Sequence, residues 1–234
     1  MATHIAKHQK MTKRQIKEDP LVTAAFRATM VWERFGRKIL IGAGAVLLVA
    51  LLIFFVMRTR AQAEQRAMAD YFRASVALNQ GDAASAVPML KELVDNSPGT
   101  RAARNATLLL GDAAMMQRNP KEAATWYQKY VDKVRGNKDL SLAGYLGLGA
   151  ALEDSGSFAQ AADAYAKAAE NARSDNERGR ALLAQARSLA RAGQSRKAIE
   201  IYQEISAMGG AEIPIRDAAN MHLGELSVTT PASP

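Results

Sequence analysis

The sequence contains no cysteine, and this absence excludes disulfides, zinc–thiolate sites and cysteine catalysis. Aromatic residues are also scarce, at 6% of 234 residues, although hydrophobic residues make up 48%. The bulk of the hydrophobic set is therefore alanine and leucine, which are strong helix formers. This composition predicts an all-α protein.

Few side chains are suited to catalysis or metal binding. His4 and His8 have the four-residue spacing of metal ligands on a helix, but no carboxylate supports them. Glu153 and Asp154 are adjacent, so a helix would point them to different sides rather than form an acid–base pair. His222 is a single histidine, for which we expect a structural role. The sequence thus predicts no enzyme activity, cofactor, metal site or small-molecule substrate.

The positive charge is concentrated at the N-terminus. The net charge is +8, and residues 1–38 contain nine of the 31 Lys and Arg but only three of the 23 Asp and Glu. The remainder is nearly balanced, which argues against a nucleic-acid-binding surface on the main domain. Because the basic tail directly precedes the most apolar stretch, it indicates a membrane and its lipids.

Residues 39–57 form a run of 19 residues without a polar or charged side chain, which predicts a transmembrane helix. At about 1.5 Å per residue the run is roughly 28 Å long, close to a hydrocarbon core of about 30 Å. Thirteen residues are Leu, Ile, Val or Phe, and together they favour insertion by about 5 kcal/mol. Two alternatives are a signal peptide cleaved after Ala61–Ala63 and a buried core helix. The long preceding tail disfavours the first, and the all-round apolar surface disfavours the second.

The basic tail, residues 1–38, carries its own helix signal. Asp19 is a plausible N-cap and Pro20 a plausible first helical residue. Apolar residues then recur every four positions, which fits an interfacial helix at 20–36. A partly disordered basic arm is the alternative. The positive-inside rule, applied to the whole tail, places the N-terminus in the cytoplasm.

An internal repeat occupies the rest of the chain. Small residues recur at intervals of 37, 38 and 37, at Ala86, Ala123, Ala161 and Ala198. Four positions after each stand Leu90, Tyr127, Tyr165 and Tyr202. Five positions before each stand Gly81, Arg118, Gly156 and Gly193, and twelve before stand Ala74, Gly111, Gly149 and Ala186. A helix pair of this length cannot bury its own apolar stripe, so neighbouring pairs must stack.

This pattern resembles the tetratricopeptide repeat (TPR). The resemblance implies an α-solenoid of about four helix pairs over 58–226, with 212–226 as a capping helix after the last pair. Residues 227–234 are expected to be a disordered C-terminal tail. Pro88 is expected to kink or shorten the second helix of the first pair. The residues expected to pack the repeats are Gly81, Ala86, Gly111, Ala123, Tyr127, Gly149, Gly156, Ala161, Tyr165, Gly193, Ala198 and Tyr202.

In TPR arrays the first helices of the pairs line a concave groove, and the resemblance implies a partner-binding site there. The charge along this groove is expected to be graded, with an apolar and acidic middle and a basic end. Three arginines at the basic end share a helix face and could pair with an acidic partner. A solvated helix face is the alternative. By register the groove residues are Tyr71, Leu78, Asn79, Asn105, Leu108, Asp112, Met115, Met116, Leu146, Glu153, Asp154, Arg180, Leu183, Arg187 and Arg191.

The layout of basic tail, single span and TPR domain is similar to bacterial single-span TPR proteins related to the ancillary subunit of the Sec translocon. That resemblance implies a single-pass protein of the bacterial inner membrane with a periplasmic TPR domain. We expect a scaffold that mediates protein–protein interactions, with translocon or chaperone proteins as partners. The alternative is a structural accessory subunit of a large respiratory, secretory or photosynthetic membrane complex.

Overall fold

A computed structural model of the protein describes residues 20–229, which contain nine α-helices and no strand. The tail residues His4, His8 and Asp19 lie outside the described part of the chain. The helices are α1 Pro20–Asn79, α2 Ala83–Asn96, α3 Arg101–Met116, α4 Pro120–Lys133, α5 Lys138–Asp154, α6 Phe158–Glu170, α7 Asp175–Arg191, α8 Ser195–Ala207 and α9 Ile213–Thr229.

The chain divides into two compact units, and the division after Arg60 falls inside α1. In the first unit, the described residues all belong to α1, including the predicted interfacial segment 20–36 and the predicted span 39–57. Large apolar side chains of the span are exposed, such as Val46 at 70% and Leu48 at 69%. By length and composition, α1 is the one helix of the described residues that could cross a membrane.

The second unit, residues 61–234, is an α-solenoid within its described part. From α2 to α9 each helix packs against the next one along the chain. In addition, α3 contacts α5 and α7 contacts α9, so the first helices of successive pairs also meet. The C-terminal part of α1 joins this stack because Ala67 and Ala74 lie in one core cluster with Leu90 and Ala106. Four helix pairs and a capping helix result, which confirms the predicted fold class.

Polar side chains start most of the helices of the solenoid. Each accepts a hydrogen bond from a backbone N–H of the first turn, which has no partner inside the helix. These caps are Asp82 for α2, Thr100 for α3, Asn119 for α4, Asn137 for α5 and Ser174 for α7.

The turn within each helix pair requires a left-handed backbone. Gly81, Gly156 and Gly193 have φ values of +82°, +80° and +77°, which glycine adopts without steric cost. Arg118 occupies the same position of the second pair at φ +56°. The turn geometry is therefore kept in the second pair although the glycine is absent.

Tyrosine rings on the second helices pack directly against glycines on the first helices. A Cβ atom added to Gly111 or to Gly147 would lie 2.6 Å from the Tyr127 ring. The same atom on Gly149 would lie 2.6 Å from the Tyr165 ring. These rings fill the space that the missing side chains leave, so helix spacing is set by glycine and tyrosine together.

The second pair departs from the TPR pattern at Tyr130, where a small residue is usual. This side chain is 2% exposed, and a Cβ on Gly144 would lie 2.6 Å from its ring. The large residue on α4 is thus accommodated by a glycine on α5. The four alanines of the repeat register are all 0% exposed: Ala86, Ala123, Ala161 and Ala198.

Two expectations about helix ends are corrected by the structure. Pro88 does not shorten its helix, because α2 has 14 residues, the same number as α4. Pro88 is exposed, so its ring displaces no core group. The capping helix is longer than predicted, since α9 continues to Thr229 rather than ending at residue 226. Leu223 and Leu226 hold this end against the last core cluster, and the helix extends beyond that contact.

We predict that Gly149→Ala lowers the free energy of unfolding by about 1–3 kcal/mol, because the added methyl group would overlap the Tyr165 ring. Urea unfolding of the full chain, followed by far-UV circular dichroism, measures the change. Gly224→Ala is the matched control, since a Cβ at this helical glycine meets no atom of another described element within 4 Å. It should raise stability by about 0.5–1 kcal/mol. Equal effects of the two substitutions would contradict this account of the packing.

Candidate functional site

The groove residues predicted from the sequence lie on α1, α3, α5 and α7, the first helices of the four pairs. Their burial differs widely. Leu78 does not line the groove, because it is 2% exposed and lies in the core with Ala86 and Ala113. The exposed residues are Asn79, Met116, Asp154, Arg180, Arg187 and Arg191, and the half-buried ones are Tyr71, Asn105, Leu108, Asp112, Met115, Leu146 and Leu183.

Glu153 is the only acidic residue among the buried groups of the described chain, at 8% exposure. Arg187 donates two hydrogen bonds to it, from Nε to Oε1 and from Nη2 to Oε2, both 3.1 Å long. Arg191 Nη1 donates to Oε1 at 3.0 Å, and the Tyr165 hydroxyl donates to Oε2 at 3.2 Å. Each carboxylate oxygen thus accepts two hydrogen bonds, which satisfies the buried charge.

This arrangement keeps Glu153 ionised. Burial alone would raise the pKa of Glu153, but the hydrogen bonds and charge of Arg187, with those of Arg191, hold it below the ordinary value. The Arg187 pKa is raised, first by the same hydrogen bonds. The Arg191 guanidinium also lies 4.2 Å from the centre of the Phe158 ring. The cluster therefore ties α7 to α5 and α6.

The arginines of the predicted basic end are partly paired within the chain. Arg187 and Arg191 both bond Glu153, so one of their two positive charges is balanced and one is left over. Arg180 lies 3.7 Å from Glu212 of the segment before α9. These pairs are 32 to 38 positions apart in the sequence, and only stacking brings them together.

Asp112, in the predicted acidic middle of the groove, is likewise hydrogen-bonded within the chain. The Tyr127 hydroxyl donates a hydrogen bond of 2.5 Å to Asp112 Oδ1. Burial, followed by this bond, raises the pKa of Tyr127. Burial and the nearby Asp112 charge raise the pKa of Tyr71 as well. Asp112 therefore holds the first helix to its own second helix rather than facing solvent as a free carboxylate.

The accessible part of the groove contains two methionines next to charged side chains. Met116 is 56% exposed, and Met115 and Met116 line a cleft of about 540 Å³ with Arg118, Pro120 and Asp154. Methionine side chains are flexible and polarisable, so they adapt to apolar groups of different shape. This part of the groove is suited to holding an apolar side chain of a protein or peptide.

His222 contacts an aromatic ring and a carboxylate near the end of the solenoid. His222 stacks on Tyr202 with ring centres 5.2 Å apart, and its Nδ1 lies 2.9 Å from Glu225 Oε2. The ring thus fills the contact between α8 and α9. Within residues 20–229 no group of three His, Asp or Glu is placed to hold a metal ion.

A second cleft, of about 520 Å³, lies between α4 and α6, with α5 as its floor. It was not among the predicted sites. It lies among the second helices rather than on the groove side. A signal was present in the repeat register, because Ala164 stands where the other three pairs have Met89, Trp126 and Ile201.

We predict that Glu153→Gln lowers the free energy of unfolding by about 1–3 kcal/mol at pH 7, since the buried hydrogen bonds lose their charge. The folded-state pKa of Glu153 is depressed, so its contribution is present above the unfolded pKa, about 4.3. That contribution is lost as the pH falls through the folded pKa. The gap between wild type and variant should therefore shrink below about pH 4.

Denaturant unfolding at several pH values measures this gap. Asp154→Asn is the control, because Asp154 is the exposed neighbour and its loss should change stability by no more than about 0.5 kcal/mol. A gap that stays constant down to pH 3 would show that the charge of Glu153 does not stabilise the fold.

Comparison with known families matches two parts of the solenoid. One tetratricopeptide-repeat profile matches residues 71–139, and a second matches residues 180–207. The first match runs from the end of α1 to the start of α5, and the second covers α7 and α8. No curated protein matches the sequence.

Solved structures give the same picture of the fold. TPR-like repeats of a protein assigned as a kinesin light chain of Podospora anserina align with a TM-score of 0.58 and 18% identity, covering 70% of this chain and 86% of that one. MamA from Desulfovibrio magneticus RS-1 aligns with a TM-score of 0.56 and 20% identity, covering 70% and 84%. A signal-transduction ATPase from Pyrococcus horikoshii with a TPR sensor aligns at 0.55 and 20%, covering 74% of this chain and 28% of that one.

At such identities the likeness concerns the fold alone. TPR folds generally serve as interaction scaffolds without catalytic chemistry, and no catalytic family is indicated. The chain therefore carries tetratricopeptide-repeat matches at residues 71–139 and 180–207 and has the fold of a TPR-like α-solenoid.

Proposed function

We propose that this protein is a single-pass scaffold of the bacterial inner membrane, with its N-terminus in the cytoplasm and its solenoid in the periplasm. The solenoid binds partner proteins through the apolar part of its groove. The observation that carries the proposal is a helix with exposed apolar side chains joined in one chain to a TPR-like solenoid. Catalysis, cofactors and nucleic acid have no part in this function.

The membrane anchor is supported by the surface of α1. Phe54 and Phe55 are 61% and 67% exposed, and the apolar run around them has no charged residue. Such a surface is costly in water and stable among lipid chains. Trp32 and Phe35 precede the run and are exposed at 55% and 43%, as aromatic residues are at membrane interfaces.

The orientation is supported by charge. Nine Lys and Arg residues precede the apolar run within residues 1–38, and basic segments favour the cytoplasmic side. The layout is similar to the ancillary subunit of the Sec translocon, so translocon components and periplasmic chaperones are the first partners to test.

Protein binding is supported by what remains accessible in the groove. Asp112 and Glu153 are bonded within the chain, whereas Met115 and Met116 border an open cleft. The partner should therefore present an apolar side chain to Met115 and Met116, with polar groups around it that face Arg118 and Asp154. Polar groups at the rim, such as Asn105 and Asn79, can bond the backbone of a bound segment.

The absence of cysteine makes the orientation directly measurable. We expect Gln203→Cys, on the exposed surface of α8, to react with a membrane-impermeant maleimide in intact spheroplasts. Gln9→Cys in the basic tail should react only after lysis. The wild type, which has no cysteine, is the control for background labelling. The reverse pattern would place the solenoid in the cytoplasm.

We expect Met116→Glu to remove groove-bound partners, because it replaces an exposed apolar side chain of the cleft at Met115 and Met116 with a charged one. The measurement is affinity purification in mild detergent with quantitative mass spectrometry of the companions. Ile213→Glu is the matched control, since Ile213 is equally apolar and 64% exposed but lies at the start of α9.

Partners kept by the control and lost by Met116→Glu support the groove as the binding site. Partners unaffected by both would contradict it. A single companion at constant stoichiometry would replace the adaptor function by that of a structural subunit of a membrane complex.

A further inference from the structure

Trp126 shows how the solenoid holds a bulky side chain between two second helices. Its ring packs against the core cluster shared by α1, α2 and α3. The ammonium groups of Lys91 and Lys129 lie 5.9 Å and 4.2 Å from the ring centre. The indole N–H donates to Glu122 Oε1 at 3.3 Å. We call this combination of apolar floor, flanking lysines and one acceptor the Trp126 site.

The next two second helices, α4 and α6, repeat this site without its occupant. In the 38-residue register Ala164 takes the place of Trp126, Gln160 that of Glu122, and Lys167 that of Lys129. Gln128 takes the place of Lys91 on the opposite wall. The missing indole leaves the cleft of about 520 Å³ described above, which we call the Ala164 cleft.

The Ala164 cleft retains the chemical features of the Trp126 site. Tyr145, Leu148 and Leu152 of α5 give it an apolar floor. Lys129 lines one wall and Lys167 the other, and the Lys167 ammonium lies 5.7 Å from the Tyr145 ring. Each lysine is thus placed beside an aromatic ring, as a cation–π pair requires.

Gln160, which also lines the cleft, takes the register position of Glu122, the acceptor of the Trp126 indole N–H. A glutamine side chain can accept this bond as a carboxylate does. An equivalent cleft of about 410 Å³ lies between α6 and α8, where Ile201 takes the register position of Ala164. Its lining differs, because Gln185 takes the place of Leu148 in the apolar floor and Lys197 that of the acceptor Gln160.

We propose that the Ala164 cleft binds the side chain of an exposed tryptophan on a partner protein, with acidic residues beside that tryptophan. An indole fits because the preceding pair places one in the equivalent position. Acidic neighbours fit because Lys129 and Lys167 form no salt bridge with a described side chain.

The acidic residues should lie on one side of the tryptophan only. Asp163 also lines the cleft, one helical turn before Lys167. Its carboxylate would repel an acidic residue of the ligand placed next to it. The expected ligand is thus an apolar anchor with its carboxylates at the lysine end.

This inference rests on the proposed scaffold function in one respect. That function is the reason for placing the tryptophan on a partner protein. It names a second surface, distinct from the groove, and does not depend on the membrane orientation. Its test therefore uses purified full-length protein in lipid nanodiscs and a synthetic probe. Failure of the probe would leave the groove and the orientation to be decided by their own measurements.

The probe is a fluorescent peptide that carries one tryptophan followed by two glutamates, and fluorescence anisotropy measures its binding. We expect the wild type to bind it about tenfold more tightly than a peptide with alanine in place of tryptophan. A peptide with lysines in place of the glutamates should bind several-fold more weakly, because of repulsion by Lys129 and Lys167.

Ala164→Trp should fill the cleft as Trp126 fills its own site, and weaken probe binding by about tenfold or more. Ile201→Trp is the matched control, since it adds the same side chain at the same register position one pair later. It should leave binding unchanged. Gln160→Ala, which removes only the acceptor, should weaken binding by about threefold, and it tests the site even if Ala164→Trp disturbs the fold.

Three results would overturn the proposal. Equal binding of the tryptophan and alanine peptides would exclude recognition of an indole. Equal losses in Ala164→Trp and Ile201→Trp would exclude this cleft as the site. Unchanged binding in both Ala164→Trp and Gln160→Ala would exclude it as well.

Discussion

The solenoid depends on the close approach of helices at glycines that face tyrosine rings. Tyr127 is held between Gly111 of its own pair and Gly147 of the next, and a methyl group at either glycine would overlap the ring. The Tyr127 ring therefore fixes the distance both within its pair and to the next pair. Since every pair is positioned by its neighbours, the position of all other side chains of the solenoid follows from these contacts.

The same stacking decides which polar groups are available to partners. It brings Arg187 and Arg191 to Glu153, and it brings the hydroxyl groups of Tyr127 and Tyr165 to carboxylates on first helices. A buried carboxylate without such partners would be costly, so these bonds are conditions of the fold. The surfaces left for binding are then the apolar parts of the groove and the Ala164 cleft.

The cleft and the fold have a common physical origin. A repeat fills the space between second helices with whatever side chain stands at one register position, and Trp126 fills it between α2 and α4. Ala164 leaves it open without loss of helix, because alanine is a strong helix former and the floor residue Leu148 remains buried. A local vacancy can therefore exist in an otherwise regular stack.

Much of this protein was determined by the sequence itself. The register of small residues and tyrosines predicted the helix pairs, the capping helix and the burial of Ala161 and Tyr165, because each of these depends on spacing along one chain. The apolar run at 39–57 likewise follows from composition. The left-handed turn at Arg118 was predictable because Arg118 takes the position that glycine has in the other three pairs, although arginine rarely adopts this backbone conformation.

Only the tertiary structure decided the chemistry of the binding surfaces. Glu153 and Arg187 are 34 residues apart, and no local pattern shows that stacking joins them and balances part of the expected positive charge. Leu78 was assigned to the groove by register, but its burial depends on how α2 and α3 close over it. Local periodicity fixes which residues form a helix and which face is apolar. Pairing across repeats depends on the distance between helices, which exists only once the glycines and tyrosines have packed.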